Sequence, residues 1–257
     1  MVIKMKTYLI DLDGTMYKGT NIIDGAKEFV EYLLKNNIEF YFFTNNSSRT
    51  PKEAMEHMTS LGFEGITPKH FYTSAMAAAR YVAMNYKERN AYFVGQSGIE
   101  EALIQEGFTI VEDGADFVFI GLDKKGTYEK YSKALRQLVK GAILVGTNND
   151  RILLQENGAN IGNGSIVAMF EYALGRESLK IGKPHPACIE VFCEMFNKRK
   201  DECIIIGDNL ETDILCGVYA GVETVFVTSG VHKISDIERL QIKPDNIITN
   251  LKELIKE

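Results

Sequence analysis

Cysteine is scarce in this chain and stands at no motif spacing. Cys188, Cys193, Cys203 and Cys216 form no C-x-x-C pair, and His57, His70, His185 and His232 do not stand at ligand spacing from them. That argues against a structural zinc site and leaves reduced thiols, three of them in apolar segments, as expected of a cytosolic protein. Positive charge is not in excess either. The 29 Lys and Arg against 35 Asp and Glu give a net charge of −6, which offers no basic footprint for nucleic acid. Small anionic substrates stay open, because one local lysine or a metal outweighs the global field. No apolar run reaches the ~18 residues of a membrane span. Met1–Lys6 lead almost directly into the first strand without a secretory leader, so a cytoplasmic protein is expected. No repeat period and no low-complexity linker divides the chain, and domain boundaries have to be inferred from where the chemistry sits.

What is present is ordinary for a soluble globular protein: 257 residues, 45% apolar and 25% charged. This is near the size at which one core divides into two. Strand and helix patterns alternate from end to end, which predicts a parallel α/β architecture. Tyr8–Leu12, Ile38–Thr44, Ala91–Val94, Phe117–Gly121, Ile143–Gly146, Cys203–Gly207 and Thr224–Val227 read as short buried strands. Between them, Asp24–Asn36, a segment opened by Pro51 and closed at Gly62, Ala75–Met84, Tyr128–Val139, Ser165–Leu174, Pro184–Phe196 and Glu211–Tyr219 read as helices, with Ser165 as a cap. Gly107–Asp116 fits neither pattern.

The chemistry gathers at four places where an apolar segment ends in a polar residue: Asp11 and Asp13, Thr44 with Asn45, Lys183, and Asp208. Alternation along a strand points residues i and i+2 to one side, which would aim Asp11 and Asp13 at a common spot, and Gly14 then breaks the strand. If the four strands are neighbours in one sheet, their groups converge at the carboxyl edge, where open α/β sheets bind ligands. Asp213 adds a carboxylate one helical turn beyond Asp208. Taken singly, each feature has an ordinary reading as a turn, a loop, a solvated lysine or a helix cap. Taken together, Asp11, Asp208 and Asp213 against Lys183 leave a charge of about −2 in a cleft, which is strongly disfavoured without a cation. Oxygen-only ligands point to Mg²⁺, which would bridge phosphate to carboxylate while Lys183 and the Thr44 hydroxyl hold the remaining oxygens.

In order, Asp11-Leu-Asp-Gly-Thr15, Thr44, Lys183 and Gly207-Asp-Asn-Leu-Glu-Thr-Asp213 resemble the four motifs of the haloacid dehalogenase (HAD) superfamily. Thr44-Asn-Asn-Ser-Ser48, Gly121-Leu-Asp123, Thr147-Asn-Asn-Asp150, Gly164-Ser-Ile166 and Gly182-Lys-Pro184 are similar to its NagD / 4-nitrophenylphosphatase branch. The resemblance implies a Rossmann-like parallel-sheet core, residues 1–75 and 182–257, with an α/β cap inserted over 76–181. It also implies a Mg²⁺-dependent phosphatase acting on a small phosphorylated metabolite, either a sugar phosphate, a nucleotide or an aryl phosphate. In that scheme Asp11 is the nucleophile and forms an aspartyl-phosphate, and Asp13 is the acid and base. Thr44, a backbone N–H near Asn45, and Lys183 hold the phosphate. The metal falls to Asp11, the main-chain carbonyl of Asp13, and Asp208, with Asp213 behind them. Caps of this branch can pair, which implies a homodimer. Relatives commonly carry proline where Asn149, Gln155 and Ile161 stand, which leaves the catalytic chemistry untouched and weakens any individual substrate taken over from them. The alternatives are a phosphomutase, which returns the phosphoryl group to substrate, and a receiver-type phospho-Asp signalling module, which needs neither Asp13 nor a cap.

Overall fold

The computed structural model describes residues 6–155 and 158–256. From the amino end these form β1 (Thr7–Ile10), a small hairpin β2 (Tyr17–Lys18) and β3 (Asn21–Ile22), α1 (Ala26–Lys35), β4 (Phe40–Thr44), α2 (Pro51–Ser60) and β5 (Phe71–Thr73). A second run follows with α3 (Ser74–Asn85), β6 (Asn90–Val94), α4 (Ser97–Gln105), β7 (Thr109–Ile110), β8 (Phe117–Ile120), α5 (Tyr128–Val139) and β9 (Ile143–Gly146). It continues through β10 (Ile152–Gln155), β11 (Gly158–Ile161), α6 (Asn163–Leu174) and β12 (Leu179–Lys180). The chain ends with α7 (Ala187–Met195), β13 (Cys203–Gly207), α8 (Leu215–Ala220), β14 (Glu223–Val227), α9 (Ile234–Leu240) and β15 (Asn246–Ile248).

By packing, the chain divides into two compact units. One holds the residues up to Thr44, Pro51–Tyr72 and Phe192 onward; the other holds Asn45–Thr50 and Thr73–Val191. In the first, a six-stranded sheet runs in the order β15-β14-β13-β1-β4-β5. Its centre is β1, parallel to β13 on one side and to β4 on the other, with Ile10 opposite both Ile206 and Phe42. Leu9, Ile10, Phe42, Ile205 and Ile206 are fully buried, because a parallel strand is covered on both faces and reads as an unbroken apolar run. Helix α1 contributes Ala26, Phe29, Val30 and Leu33, the stripe expected of an amphipathic helix lying on a sheet.

The second unit is built around a five-stranded sheet in the order β12-β9-β8-β6-β7, parallel at every pairing. Val94, Val118, Ile120 and Leu144 of its strands pack with Ala134, Leu138, Val167 and Phe170 of α5 and α6. An antiparallel hairpin of β10 and β11 stands apart from that sheet. The α/β class read from the sequence is the one observed. Among the described residues no helix is long and apolar enough to cross a membrane.

Several local expectations need correcting. β1 stops at Ile10 and not Leu12, because the Leu12 carbonyl is taken by the N–H groups of Thr15, Met16 and Tyr17 in a tight turn. Ser165 is not a cap. α6 begins two residues earlier, after Gly162, and the Ser165 hydroxyl donates to Arg151 O at 2.7 Å. The helix expected from Pro184 starts at Ala187, since His185 N–H first closes a turn on Gly182 O. The helix expected from Glu211 opens with a wide π-type turn over Leu210–Ile214, capped by Asn209, whose side chain accepts from Glu211 N–H. Within Gly107–Asp116 the chain adds the short edge strand β7 beside β6.

Candidate active site

In the first unit, β1, β4 and β13 are adjacent and parallel, so their carboxyl ends lie along one edge. Each ends in a polar residue: Asp11 follows β1, Thr44 closes β4 and Asp208 follows β13. The Asp11 N–H extends the ladder by one bond, to Ile206 O at 2.9 Å. Carboxylate oxygens of Asp11, Asp208 and Asp213 lie within 4.8 Å of one another. Asp208 and Asp213 are buried, with 0% and 1% exposure, and Asp11 is half-buried. Asp13 is exposed and falls outside this cluster. The alternation argument that aimed both aspartates from one strand therefore fails. Asp13 sits in the turn beyond β1 and bridges to Tyr17.

Asp208 is gripped on both oxygens. Thr15 Oγ1 donates to one at 3.1 Å and Val231 N–H to the other at 2.7 Å. Its main-chain carbonyl accepts from His232 N–H at 3.3 Å, while His232 Nδ1 accepts from Leu210 N–H at 3.1 Å. Ser229 Oγ donates to Gly14 O at 2.9 Å, and Asn209 N–H donates to Asp213 at 3.2 Å. Burial, reinforced by the neighbouring Asp213 charge, pushes the Asp208 carboxyl up to about 7, against the pull of the Val231 and Thr15 hydrogen bonds. A hard divalent cation fits this donor set. It would take oxygen ligands from within this carboxylate cluster and remove the repulsion that burial magnifies.

Two glycines shape the cluster by having no side chain. A Cβ on Gly14, whose φ is +101°, would lie 2.3 Å from Asp208 Oδ2, and one on Gly230 would lie 1.9 Å from the same atom. The Gly14 of the Asp-x-Asp-Gly sequence is thus fixed both by a left-handed turn and by the acid that the turn covers.

Lys183 and Asn45 belong to the second unit. The strand leading to Lys183, β12, pairs with β9 in the five-stranded sheet. The expectation that all four polar termini share one sheet is therefore corrected, because β12 has only two residues and gives no pattern to read. Lys183 is buried, with 2% exposure. Its N–H donates to Asn45 Oδ1 at 3.0 Å, and Asn45 Nδ2 donates back to Lys183 O at 3.0 Å and to Asp150 Oδ1 at 3.1 Å. Asn45 O accepts from Ser74 Oγ at 2.7 Å and from Asn148 Nδ2 at 2.6 Å. Asn148 Oδ1 in turn accepts from Asp150 N–H at 3.2 Å. Behind it, Asn163 Nδ2 donates to Ile120 O and Thr147 Oγ1, and its Oδ1 is buried without a hydrogen-bond donor among the described residues. Asp123, which ends the Gly121-Leu-Asp123 stretch, is engaged by Lys130 Nζ at 2.6 Å and Lys125 N–H at 2.9 Å.

Thr15, Asn148, Val231 and His232 were missed as site residues. Thr15 stood in the quoted Asp-x-Asp-Gly-Thr stretch and could have been found there. Val231 acts through its backbone N–H, which no residue type announces.

The family profile described as haloacid dehalogenase-like hydrolase matches residues 8–109, and a second, HAD-hydrolase-like, matches 180–254. The chain is 37% identical over 250 residues to a protein named 5'-nucleotidase YutF of Bacillus subtilis, covering 97% of each. It is also 37% identical over 253 residues to an acid sugar phosphatase of Staphylococcus aureus, covering 98% of this chain and 97% of that one. Among solved structures, a 4-nitrophenylphosphatase from Thermotoga maritima superposes with a TM-score of 0.91 at 32% identity, covering 99% of this chain and 97% of that one.

Proposed function

The chain belongs to the haloacid dehalogenase-like hydrolases, and on that premise we propose that it is a Mg²⁺-dependent phosphomonoesterase. Its substrate would be a small phosphate ester of the sugar phosphate, nucleotide or aryl phosphate class. The observation that carries the reading is the meeting of Asp11 with the buried pair Asp208 and Asp213 within 4.8 Å, at the carboxyl edge of a parallel sheet. Relatives named for nucleotides, sugar phosphates and nitrophenyl phosphate support the class and leave the individual substrate open.

The residues divide the work as follows. An Asp11 carboxylate oxygen attacks phosphorus in line, forming an aspartyl-phosphate as the bond to the leaving oxygen breaks. Asp13, exposed beyond the strand end, gives that oxygen a proton and then takes one from the water that hydrolyses the acyl phosphate. Lys183, the Thr44 hydroxyl and a backbone N–H near Asn45 hold the phosphoryl oxygens as charge develops on them. Mg²⁺, held by Asp11, the Asp13 carbonyl and Asp208 with Asp213 behind them, would supply charge neutralisation for carboxylates and phosphate together. Residues 1–75 and 182–257 would form the catalytic core, and 76–181 a cap that excludes water and selects the leaving group.

The test is a phosphate-release screen over nucleoside monophosphates, sugar phosphates and an aryl phosphate, with Mg²⁺ and with a chelator. Wild type is expected to release phosphate only with the metal, and Asp11→Asn to be inactive. Wild-type rates in Asp11→Asn would remove the nucleophile, and metal-independent turnover would remove the cation.

A further inference from the structure

We propose that Asn148, in the loop after β9, is a positioning residue for Lys183, acting through Asn45. The inference rests on the phosphatase reading above for its catalytic consequence, but the contacts stand without it. Asn148 is buried, with 3% exposure, and Lys183 with 2%. The Asn148 amide donates to the Asn45 carbonyl at 2.6 Å. The Asn45 side chain then grips the Lys183 backbone from both sides, accepting its N–H and donating to its carbonyl, each at 3.0 Å.

The amide orientations are not interchangeable. Asn45 Oδ1 must face the Lys183 N–H and its Nδ2 the Lys183 carbonyl and Asp150. Asn148 Oδ1 must face the Asp150 N–H while its Nδ2 faces Asn45 O. Either flip would set like poles together. Asp150 closes the figure, since its backbone N–H is held by Asn148 and its carboxylate by Asn45. Lys183 itself follows a strand of only two residues, too short to fix a long side chain's base by ladder bonds alone. The lattice supplies that restraint, and a hydrogen-bonding group held in register is what transition-state stabilisation needs. Asn148 touches neither reacting atom nor substrate in this scheme. Its effect passes through one backbone carbonyl and one side chain.

Two measurements test this separately. The first needs no activity: reductive methylation of the full-length protein, with labelling of each lysine followed by peptide mass spectrometry. Asn148→Asp keeps the acceptor for Asp150 N–H and replaces the donor to Asn45 O with a carboxylate oxygen, so that the contact to Asn45 is lost. It is expected to speed labelling of Lys183 at least about fivefold, the scale of one hydrogen bond, while Lys130 stays at its wild-type rate. Equal labelling of Lys183 in variant and wild type overturns the clamp, as does a parallel rise at Lys130, which would mean general loosening.

The second is a double-mutant cycle on the aryl phosphate. Asn148→Asp is expected to lower kcat roughly tenfold with little change in KM, again one hydrogen bond's worth. In a Lys183→Ala background the same change should have no further effect. A loss that adds in full to that of Lys183→Ala overturns the assignment. If wild type releases no phosphate from any ester, the phosphatase reading fails and the labelling result still decides the clamp.

Discussion

Two polar clusters of similar size are built here on opposite principles. The one at the edge of the six-stranded sheet is charged: Asp11, Asp208 and Asp213 crowd within 4.8 Å, with hydrogen bonds from Thr15 and Val231 on Asp208. The one at the end of the five-stranded sheet rests mainly on neutral amides, Asn45, Asn148 and Asn163, arranged around the Lys183 backbone and Asp150. Like charges gathered under burial weaken the fold and are useful only to something that binds them, whereas amides with nearly every pole satisfied rigidify without attracting an ion. On the proposed reading, the first cluster reacts and the second holds.

That contrast can be broken most decisively at Asp11. Asp11→Asn is expected to cut phosphate release at least about 10³-fold, the scale of losing an attacking group, whereas Asn45→Ala should cost only about one to two powers of ten. Initial rates on a common aryl phosphate measure both, and equal losses would erase the distinction. Asp208→Asn separates stability from use. In chelator its melting temperature should exceed that of wild type, since the repulsion with Asp213 is relieved; with Mg²⁺ added, wild type is expected to gain melting temperature and the variant is not. A lower melting point than wild type in chelator would mean that the buried acid is already compensated.

Smaller effects sharpen the picture. Gly230→Ala, and likewise Gly14→Ala, pushes a methyl into Asp208 and should cost roughly 1–3 kcal/mol of stability, read from denaturant midpoints. Neutral behaviour would show that the acid has room to move. Smallest is Asn163→Ala, which removes donors to Ile120 O and Thr147 Oγ1 and also an acceptor without a donor among the described residues. The two terms offset, leaving about 1 kcal/mol, with steady-state constants unchanged. A kinetic defect there would draw Asn163 into the clamp.

How much of this is legible in the sequence differs between the clusters for a physical reason. Asp11, Thr44 and Asp208 each end an apolar run that only a doubly covered parallel strand explains, so their place at a sheet edge can be read from the residues before them. Lys183 follows a strand of two residues, and neither its sheet nor its partners can be read that way. The grip on Asp208 from Val231 is made by a main-chain N–H, for which side-chain identity carries no signal. β15, only three residues long, and the hairpin of β10 and β11 escape for the same want of length. Asp13 shows the opposite error: the alternation rule is sound, but the strand ends before it applies.

Because both Gly14 and Gly230 bring bare backbone against the same carboxylate oxygen, lengthening either by a single carbon already collides. Either added methyl would have to move the Asp208 carboxylate, so the room this acid has is set by two main-chain segments that carry no side chain of their own.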